Sequence, residues 1–389
     1  MSSFTPARRI TDLPPYLFAE LDRKVAAKRA EGADVVSFGI GDPDFPTPPH
    51  VVEALREAVG DPATHHYPSY AGLPELREAI AAWMEKRFGV RLDPNTEVLP
   101  VWGSKEGIVH LPWAVIDDGD VALCADPGYP PYDVSTLLTG GEPVALPLYR
   151  DNGFLPNLDE VAPDVARRTK VMFLDYPGNP TGATCDLAFF EQAVDFCRRH
   201  DILLAHDAAY SEITYDGYVA PSVLQADGAK DVAVEFHSFS KTYNMTGWRI
   251  GWICGNPEAI EALARLKTNL DSGIFNAIQR AAIAALEGPM DFLTDQLKVF
   301  TERRDRAVQG LREAGLDAWT PNGSFYLWVP VPSGDSSTSF ATRLLDDAAV
   351  VVAPGNGYGE RGEGYVRFSL TLPDDELDEG IARIRKVCG

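Results

Sequence analysis

A lysine among hydroxyl and guanidinium groups is the most informative feature of the sequence. The run HSFSKTYNMTGWRIG, residues 237–251, places Ser238 and Ser240 just before Lys241, with Arg249 eight residues after it. A lysine confined in a polar turn near an arginine has its ammonium form disfavoured, and a neutral amine attacks an aldehyde to form a Schiff base. The serines and Arg249 could supply several donors to one phosphate. Such a short match usually marks an ordinary surface lysine, so the rest of the chain must decide.

Two more polar residues follow the apolar run ILLAH, residues 202–206. Asp207 comes at the carboxyl end of this predicted strand, where α/β folds place their sites, and Tyr210 comes three residues later. An ionised aspartate that faces a pyridine nitrogen keeps that nitrogen protonated and makes the ring an electron sink. Tyr210 could donate a hydrogen bond to the ring oxygen beside the aldehyde carbon. Taken singly, Asp207 would cap a helix and Tyr210 would pack in the core.

Three turns after other predicted strands carry further groups of this kind. The turn YPGNPTG presents the side-chain amide of Asn179. The strand-to-helix junction WGSKEG offers the Ser104 hydroxyl and backbone N–H groups to a phosphate. The turn DPGYPPY holds Tyr129, whose ring could stack on a planar cofactor. Each has a simpler explanation as a turn, a helix cap or a packing residue. Together, five strand ends with complementary groups are hard to explain as coincidence.

The elements that must position these residues are those of an α/β fold. Short apolar runs alternate with amphipathic stretches, a pattern that predicts a mostly parallel sheet flanked by helices. The predicted strands of this sheet cover residues 121–125, 171–175, 202–206, 232–237 and 250–254, and the predicted helices between them cover residues 105–116 and 187–199.

The pattern changes after about residue 290 and predicts a second, smaller α/β layer. It begins with a long polar helix over residues 290–314, and its further predicted elements cover residues 325–329, 339–347, 350–352 and 365–370. A helix over residues 16–30 is expected to pack on this layer. We therefore expect an N-terminal segment, residues 1–41, that packs with a small domain, residues 291–389, and a large domain, residues 42–290.

At these residues the chain resembles the fold-type I pyridoxal-phosphate enzymes of the class I and II aminotransferase family, from residue 10 to residue 387. The resemblance implies pyridoxal 5′-phosphate as cofactor, held by Lys241 as a Schiff base. It implies that Asp207 is the partner of the ring nitrogen, that Asn179 and Tyr210 contact the ring oxygen, and that Tyr129 stacks on the ring. It also implies a phosphate site formed by Ser104, Lys105, Ser238 and Arg249.

The resemblance extends to the substrate and to a second subunit. FGIGDPDF, residues 38–45, is similar to the segment whose glycine backbone, here Gly41, meets the substrate carboxylate. Arg367 in YVRFS matches the arginine that clamps the α-carboxylate. Asn179 and Tyr16 are further substrate-binding candidates. HYPSYAG, residues 66–72, is similar to the segment that contributes a tyrosine, here Tyr67, to the neighbouring subunit's cofactor site, which implies a homodimer with shared active sites.

The implied reaction moves an amino group between an amino acid and a 2-oxo acid by a ping-pong mechanism. Within the family, LPPYLF (residues 13–18), the Asp126 turn and NMTGW (residues 244–248) are most similar to LL-diaminopimelate aminotransferases, which implies 2-oxoglutarate as acceptor. Aspartate, alanine and aromatic aminotransferases share the same motifs, and a β-elimination lyase would keep Lys241 and Asp207. A noncatalytic regulator would usually carry a fused DNA-binding module, which the sequence lacks.

Composition narrows the possible partners. Thirty-five basic and 57 acidic side chains give a net charge of −22, which disfavours nucleic acid and anionic membranes. Five cysteines without a CxxC pair predict reduced thiols and no metal site. Because neither an N-terminal apolar segment nor a run of about 18 apolar residues occurs, we expect a cytoplasmic protein.

Overall fold

The computed structural model describes residues 4–14 and 17–389, and of residues 17–22 it describes only the course of the helix. The strands are β1 (Val36–Ser37), β2 (Val98–Val101), β3 (Val121–Asp126), β4 (Glu142–Pro147), β5 (Thr169–Leu174), β6 (Leu203–Asp207), β7 (Ala233–Ser238), β8 (Gly251–Gly255), β9 (Tyr326–Pro330), β10 (Val350–Val351), β11 (Ala353–Pro354) and β12 (Tyr365–Ser369).

The helices connect these strands and cover their faces. They are α1 (Arg8–Thr11), α2 (Leu17–Ala30), α3 (Pro49–Val59), α4 (Pro74–Phe88), α5 (Ser104–Val115), α6 (Pro131–Leu138), α7 (Pro163–Arg168), α8 (Leu187–His200), α9 (Ala229–Val232), α10 (Phe239–Thr242), α11 (Pro257–Leu270), α12 (Asn276–Glu287), α13 (Asp291–Glu313), α14 (Ser337–Ala348) and α15 (Asp374–Cys388). Within the described residues, none of these helices is long and apolar enough to span a bilayer.

The large sheet has seven strands in the order β2-β8-β7-β6-β5-β3-β4. The run from β7 to β4 is parallel, and β8 is antiparallel to both of its neighbours. The predicted strands and helices are confirmed, with ends shifted by at most two residues. The edge strands β2 and β4 were not predicted. Both contain prolines, Pro100 and Pro143, which interrupt the apolar pattern and are tolerated in strands chiefly at sheet edges.

This topology brings the predicted site segments to one edge of the sheet. The carboxyl ends of β2, β3, β5, β6 and β7 meet there, because parallel strands end on the same side. Antiparallel β8 instead begins at this edge, since Gly251 lies opposite both Val101 of β2 and Ser238 of β7. Arg249, which precedes β8, therefore reaches the same place as residues that follow the other strands.

Apolar side chains cover both faces of the large sheet. On one face, Ile108 and Leu111 of α5 and Leu263 of α11 pack on Val234 and Phe236 of the sheet. On the other face, residues of α4, α8 and α12 pack on the opposite side of the same strands. Since strands β3 and β7 are buried along their whole length, the sheet edge is held between two fixed helical layers.

A second core surrounds the antiparallel sheet β11-β12-β9. Phe38, Phe300, Leu327, Phe340 and Ile381 are fully or almost fully buried in it. The parallel pair β1–β10 joins the N-terminal segment to it. Val25 of α2 packs against a small apolar group formed by Val35, Leu345 and Val351. We propose that residues 1–41 pack with a small domain, residues 291–389, beside a large domain, residues 42–290, and these two contacts support that division.

Gly380 of α15 lies in close contact with the N-terminal segment in this second core. A Cβ atom there would lie 2.4 Å from Cε2 of Phe38 and 3.0 Å from Cγ1 of Val36. Phe38 is fully buried and packs edge-on against Phe368, so its ring cannot move away freely. Alanine normally favours a helix over glycine, yet we expect Gly380→Ala to lower the free energy of unfolding by about 1–3 kcal/mol.

Chemical denaturation followed by tryptophan fluorescence measures this effect. Lys386→Ala, on the exposed face of the same helix, is the control and should change stability by less than about 0.5 kcal/mol. If Gly380→Ala is as stable as the parent protein, the helix is not packed as closely on β1 as the structure shows.

Candidate active site

A cleft of about 450 Å³ lies where these strand ends meet the second core. The sequence-predicted residues that line it are Gly41, Ser104, Lys105, Tyr129, Asn179, Asp207, Tyr210, Ser238, Ser240, Lys241, Arg249 and Arg367. Residues that sequence reasoning missed line it too: Ile40, Asp42, Asp175, Ala209, Thr246 and Tyr326. Tyr67 is not in this lining and is 89% exposed. Tyr16 lies outside the described residues.

Lys241 projects into the cleft from α10, the short helix after β7. Its Nζ donates a hydrogen bond to the carbonyl oxygen of Gly41 at 2.7 Å and lies 5.7 Å from the centre of the Phe325 ring. Burial lowers the pKa of Lys241 to about 8; the positive charges of Arg367 and Arg249 act in the same direction, and Asp42 opposes them. A substantial fraction of the amine is therefore neutral near physiological pH, as a nucleophile or a base requires.

Asp207 ends β6 and is held by two hydrogen bonds. The hydroxyl of Tyr132 donates to Oδ2 at 3.1 Å, and the amide of Ala209 donates to Oδ1 at 3.3 Å. Tyr132 is fully buried, and its ring stacks on Phe173 with centroids 4.8 Å apart. Sequence reasoning chose Tyr129 from this turn and missed Tyr132. Both tyrosines lie in the proline-rich sequence DPGYPPY, so this motif marks Tyr132 as a candidate site residue as clearly as it marks Tyr129.

A second buried carboxyl group, Asp175, lies beside Asp207. Asp175 directly follows β5. The parallel β5–β6 register pairs Leu174 with His206, so the next residue on each chain segment, Asp175 and Asp207, lies opposite the other. Oδ2 of Asp175 accepts a hydrogen bond from the backbone N–H of Asn179 at 2.8 Å, while Oδ1 has no partner among the described residues. Burial raises the pKa of Asp175 well above its usual value, and the charge of Asp207 adds to this. Burial likewise raises the pKa of Asp207, against the hydrogen bond from Tyr132.

One end of the cleft is suited to an anion. Ser104 begins the twelve-residue helix α5, whose first backbone N–H groups have no acceptor within the helix. Gly103 has φ +76°, and a Cβ atom there would lie 2.6 Å from Nη2 of Arg249. Ser238 adds a hydroxyl that caps α10 and accepts from the Ser240 amide at 3.2 Å. A helix N-terminus, a guanidinium and hydroxyls thus converge as a phosphate requires.

The other end of the cleft contains the buried guanidinium of Arg367. Nη1 donates to Oδ1 of Asn179 at 2.7 Å, and Nη2 donates to the carbonyl oxygen of Gly39 at 2.7 Å. The guanidinium carbon lies 4.1 Å from the centre of the Tyr326 ring, whose hydroxyl is 3.0 Å from that of Tyr210. At Gly41, a Cβ atom would lie 1.9 Å from the Tyr326 hydroxyl oxygen, so only glycine fits there. The backbone of Gly41 can therefore lie directly against the cleft.

These groups together have the chemistry of a site for a phosphorylated pyridine aldehyde and a carboxylate. The cleft combines an aldehyde-reactive amine, buried acids that a cationic ring N–H would satisfy, a phosphate cradle and a fixed guanidinium. The orphaned Oδ1 of Asp175 fits a ring N–H donor, and the close approach of the Arg249 guanidinium to Gly103 fits a phosphate at the start of α5.

The family comparison agrees with this geometry. The sequence profile described as "Aminotransferase class I and II" matches residues 33–384. The chain belongs to this family, whose members are pyridoxal-phosphate-dependent transaminases that act on amino acids and keto acids.

Individual relatives cover the whole chain. It is 54% identical over 387 residues to the LL-diaminopimelate aminotransferase of Desulforudis audaxviator, and this alignment covers 100% of this chain and 99% of the relative. It is 53% identical over 383 residues to the enzyme of the same name from Moorella thermoacetica, covering 98% of each. Among solved structures, substrate-bound BacF from Bacillus subtilis superposes with a TM-score of 0.94 at 38% identity, covering 99% of this chain and 98% of that one. These matches confirm the predicted family and fold.

The depressed pKa of Lys241 gives a testable pH dependence. In the cofactor-free enzyme the amine should be labelled by aldehydes with a rate that rises as pH increases through about 8 and then levels off, because only the neutral amine reacts. Brief reductive methylation at a series of pH values, followed by peptide mass spectrometry, measures the labelling rate of each lysine. Exposed Lys170 in the same digest is the internal reference. A labelling rate at Lys241 that keeps rising well above pH 9 would mean that burial does not depress its pKa.

Proposed function

We propose that this enzyme transfers an amino group between LL-diaminopimelate and 2-oxoglutarate. The observation that carries the proposal is the identity of more than half of its residues, over essentially full length, with enzymes named for that substrate. The cleft supports it, because one end suits a phosphate and the other a carboxylate, with a reactive amine between them.

The residues around Asp207 would hold the pyridoxal 5′-phosphate ring. Asp207 would face the ring nitrogen, Asn179 and Tyr210 the ring oxygen, and Tyr129 would stack on the ring. The phosphate would lie at the α5 end of the cleft, against Ser104, Lys105, Ser238 and Arg249. When bound, the cofactor supplies an aldehyde carbon that links covalently to amines and a ring that accepts electrons.

Arg367 orients the substrate in this proposal. Its guanidinium is already fixed by Asn179 and by the Gly39 carbonyl, so little side-chain entropy is lost when it binds the α-carboxylate. Gly41 presents backbone to the same carboxylate, because Tyr326 excludes any side chain there. Two fixed contacts at the carboxylate leave the α carbon in one orientation near the amine of Lys241.

Lys241 has two roles in the proposed mechanism. Its amine would hold the cofactor through the aldehyde carbon until the amine of an amino acid replaces it, and the freed Lys241 amine would then remove the proton from the substrate α carbon. Burial favours the neutral amine that this step needs. The resulting ammonium group of Lys241 would hold this proton and would return it, within the same half-reaction, to the carbon that the bound cofactor supplies beside the α carbon. A 2-oxo acid reverses these steps and completes the cycle.

We also propose that the active unit is a homodimer in the cytoplasm. Tyr67, Tyr70 and Trp102 are large aromatic residues that are 89%, 48% and 38% exposed, and Trp102 lies two residues before Ser104 of the cleft. Exposed aromatic groups of this size are typical of protein interfaces. Tyr67 would then reach the phosphate in the partner's cleft. The five free cysteines fit a reducing compartment.

The substrate assignment is tested by the absorbance of the purified holoenzyme after addition of single amino donors. LL-diaminopimelate should convert the visible cofactor band to the shorter-wavelength amine form at least about tenfold faster than aspartate, alanine or phenylalanine, a difference of about 1.4 kcal/mol. Lys241→Ala is the control and should show no conversion. A faster reaction with another donor would reassign the substrate, and release of ammonia with the keto acid would indicate a lyase.

The shared active site is tested by mixing two defective variants. Tyr67→Ala should lower activity about tenfold or more by removing a hydrogen bond to a charged group, and Lys241→Ala should be inactive. A hybrid dimer of the two contains one cleft with an intact Lys241 and an intact Tyr67 from the partner. Co-expression should therefore recover roughly a quarter of wild-type activity if subunits assort randomly. Activity equal to the mean of the separate variants would contradict the shared site.

A further inference from the structure

A fully buried carboxylate, Glu235, lies below the site in β7 and contacts two histidines. Its Oε2 is 2.9 Å from Nδ1 of His206, and its Oε1 is 2.7 Å from Nε2 of His237. Ser222 donates its hydroxyl to Oε1 at 2.8 Å, and the Val223 amide donates to Oε2 at 2.9 Å. Burial alone would raise the pKa of Glu235, but the hydrogen bonds from the two histidines outweigh it and hold that pKa far below the usual value. The carboxylate is therefore ionised.

Each ring nitrogen of His206 lies within hydrogen-bonding distance of an oxygen. Its Nε2 lies 3.0 Å from the carbonyl oxygen of Tyr176, which can only accept. Nδ1 faces Oε2 of Glu235, a carboxylate that three other donors already stabilise. A hydrogen on each ring nitrogen would satisfy both of these oxygens, and the ring has no exposed surface.

His206 connects three of the strand ends that form the cleft. It directly precedes Asp207 in β6, and its Nε2 holds the carbonyl of Tyr176, between Asp175 and the Asn179 turn. Through Glu235 it is joined to β7, which ends at Ser238. The Phe190 ring of α8 packs edge-on against it at 4.6 Å and separates it from solvent. None of these contacts reaches the cleft itself, so His206 can act on a ligand only through its neighbours.

We propose that His206, held as an imidazolium by Glu235 and Tyr176, is a positioning residue whose positive charge keeps Asp207 ionised toward the ring nitrogen of the cofactor. The inference rests on the proposed role of Asp207. Without such a charge, two buried carboxyl groups on adjacent strands would share a proton, since burial and mutual repulsion both favour the neutral acid. The positive charge of His206 lowers the pKa of Asp207 and opposes that outcome.

The protonation state of His206 can be measured in the unmodified, cofactor-free enzyme. Nitrogen-15 NMR of histidine-labelled protein at pH 8, where an isolated histidine is mostly neutral, should show two protonated ring nitrogens for one of the seven histidines. His206→Gln assigns this signal by its loss. If that variant does not fold, single replacement of the other six histidines assigns it by elimination. A neutral His206 overturns the proposal.

Its action on Asp207 is tested by comparing two ligands. One is pyridoxal 5′-phosphate, and the other is its analogue with carbon in place of the ring nitrogen, which an ionised Asp207 cannot favour. We expect His206→Gln to weaken binding of pyridoxal phosphate by about tenfold, the factor that corresponds to one pKa unit of differential interaction, and to leave the analogue almost unaffected. The matched control is His110→Gln, which removes a different histidine from a glutamate, Glu106, at 2.6 Å and should alter neither affinity.

The outcomes separate three possibilities. A selective loss for pyridoxal phosphate supports the charge of His206, whereas an equal loss for both ligands shows that the residue only maintains the shape of the cleft and overturns the proposal. Failure of the unmodified protein to bind pyridoxal phosphate would refute the role of Asp207 in the proposed function. The NMR result on the cofactor-free enzyme would still stand and would report on the imidazolium alone.

Discussion

The site depends on the burial of several ionisable groups at one edge of the large sheet. Strand ends bring Lys241, Asp175 and Asp207 together there, and removal from water disfavours the charged form of each. The pKa of Lys241 falls to about 8, while the pKa values of both carboxyl groups rise. The same exclusion of water strengthens each interaction with a charged ligand. A cationic ring nitrogen would relieve the cost of the buried acids, so the cleft gains stability by binding its cofactor.

The second core completes this edge and gives the cleft a direction. Arg367 comes from β12 and donates to Asn179 of the large sheet's turn, so one hydrogen bond spans the two cores at the substrate end. The anion cradle at the start of α5 lies at the opposite end. A phosphate and a carboxylate can each be bound at a fixed place, and the reacting carbon is then confined to the region of the Lys241 amine between them. Geometry of this kind restricts which substrate bond is broken.

The sequence predicted the residues that follow apolar runs in proline- and glycine-rich turns, because such turns mark strand ends by themselves. It missed residues whose significance depends on pairing between strands. Asp175 neighbours Asp207 only through the β5–β6 register, and Tyr326 meets Tyr210 across 116 residues of chain. His206 resembles an ordinary strand residue in the sequence, because its partners lie elsewhere in the chain: Tyr176 in the turn after β5 and Glu235 in β7. Edge strands β2 and β4 were hidden by their prolines.

The central claim, that Lys241 binds the cofactor aldehyde covalently, is tested most directly by borohydride reduction of the holoenzyme followed by peptide mass spectrometry. Reduction makes the bond permanent, so the account predicts one pyridoxyl-phosphate group per chain, on the peptide that contains Lys241. Prior addition of an amino donor should prevent the labelling, because the substrate amine replaces the lysine. A label on another lysine, or no label on a protein that has bound pyridoxal phosphate, would contradict the account.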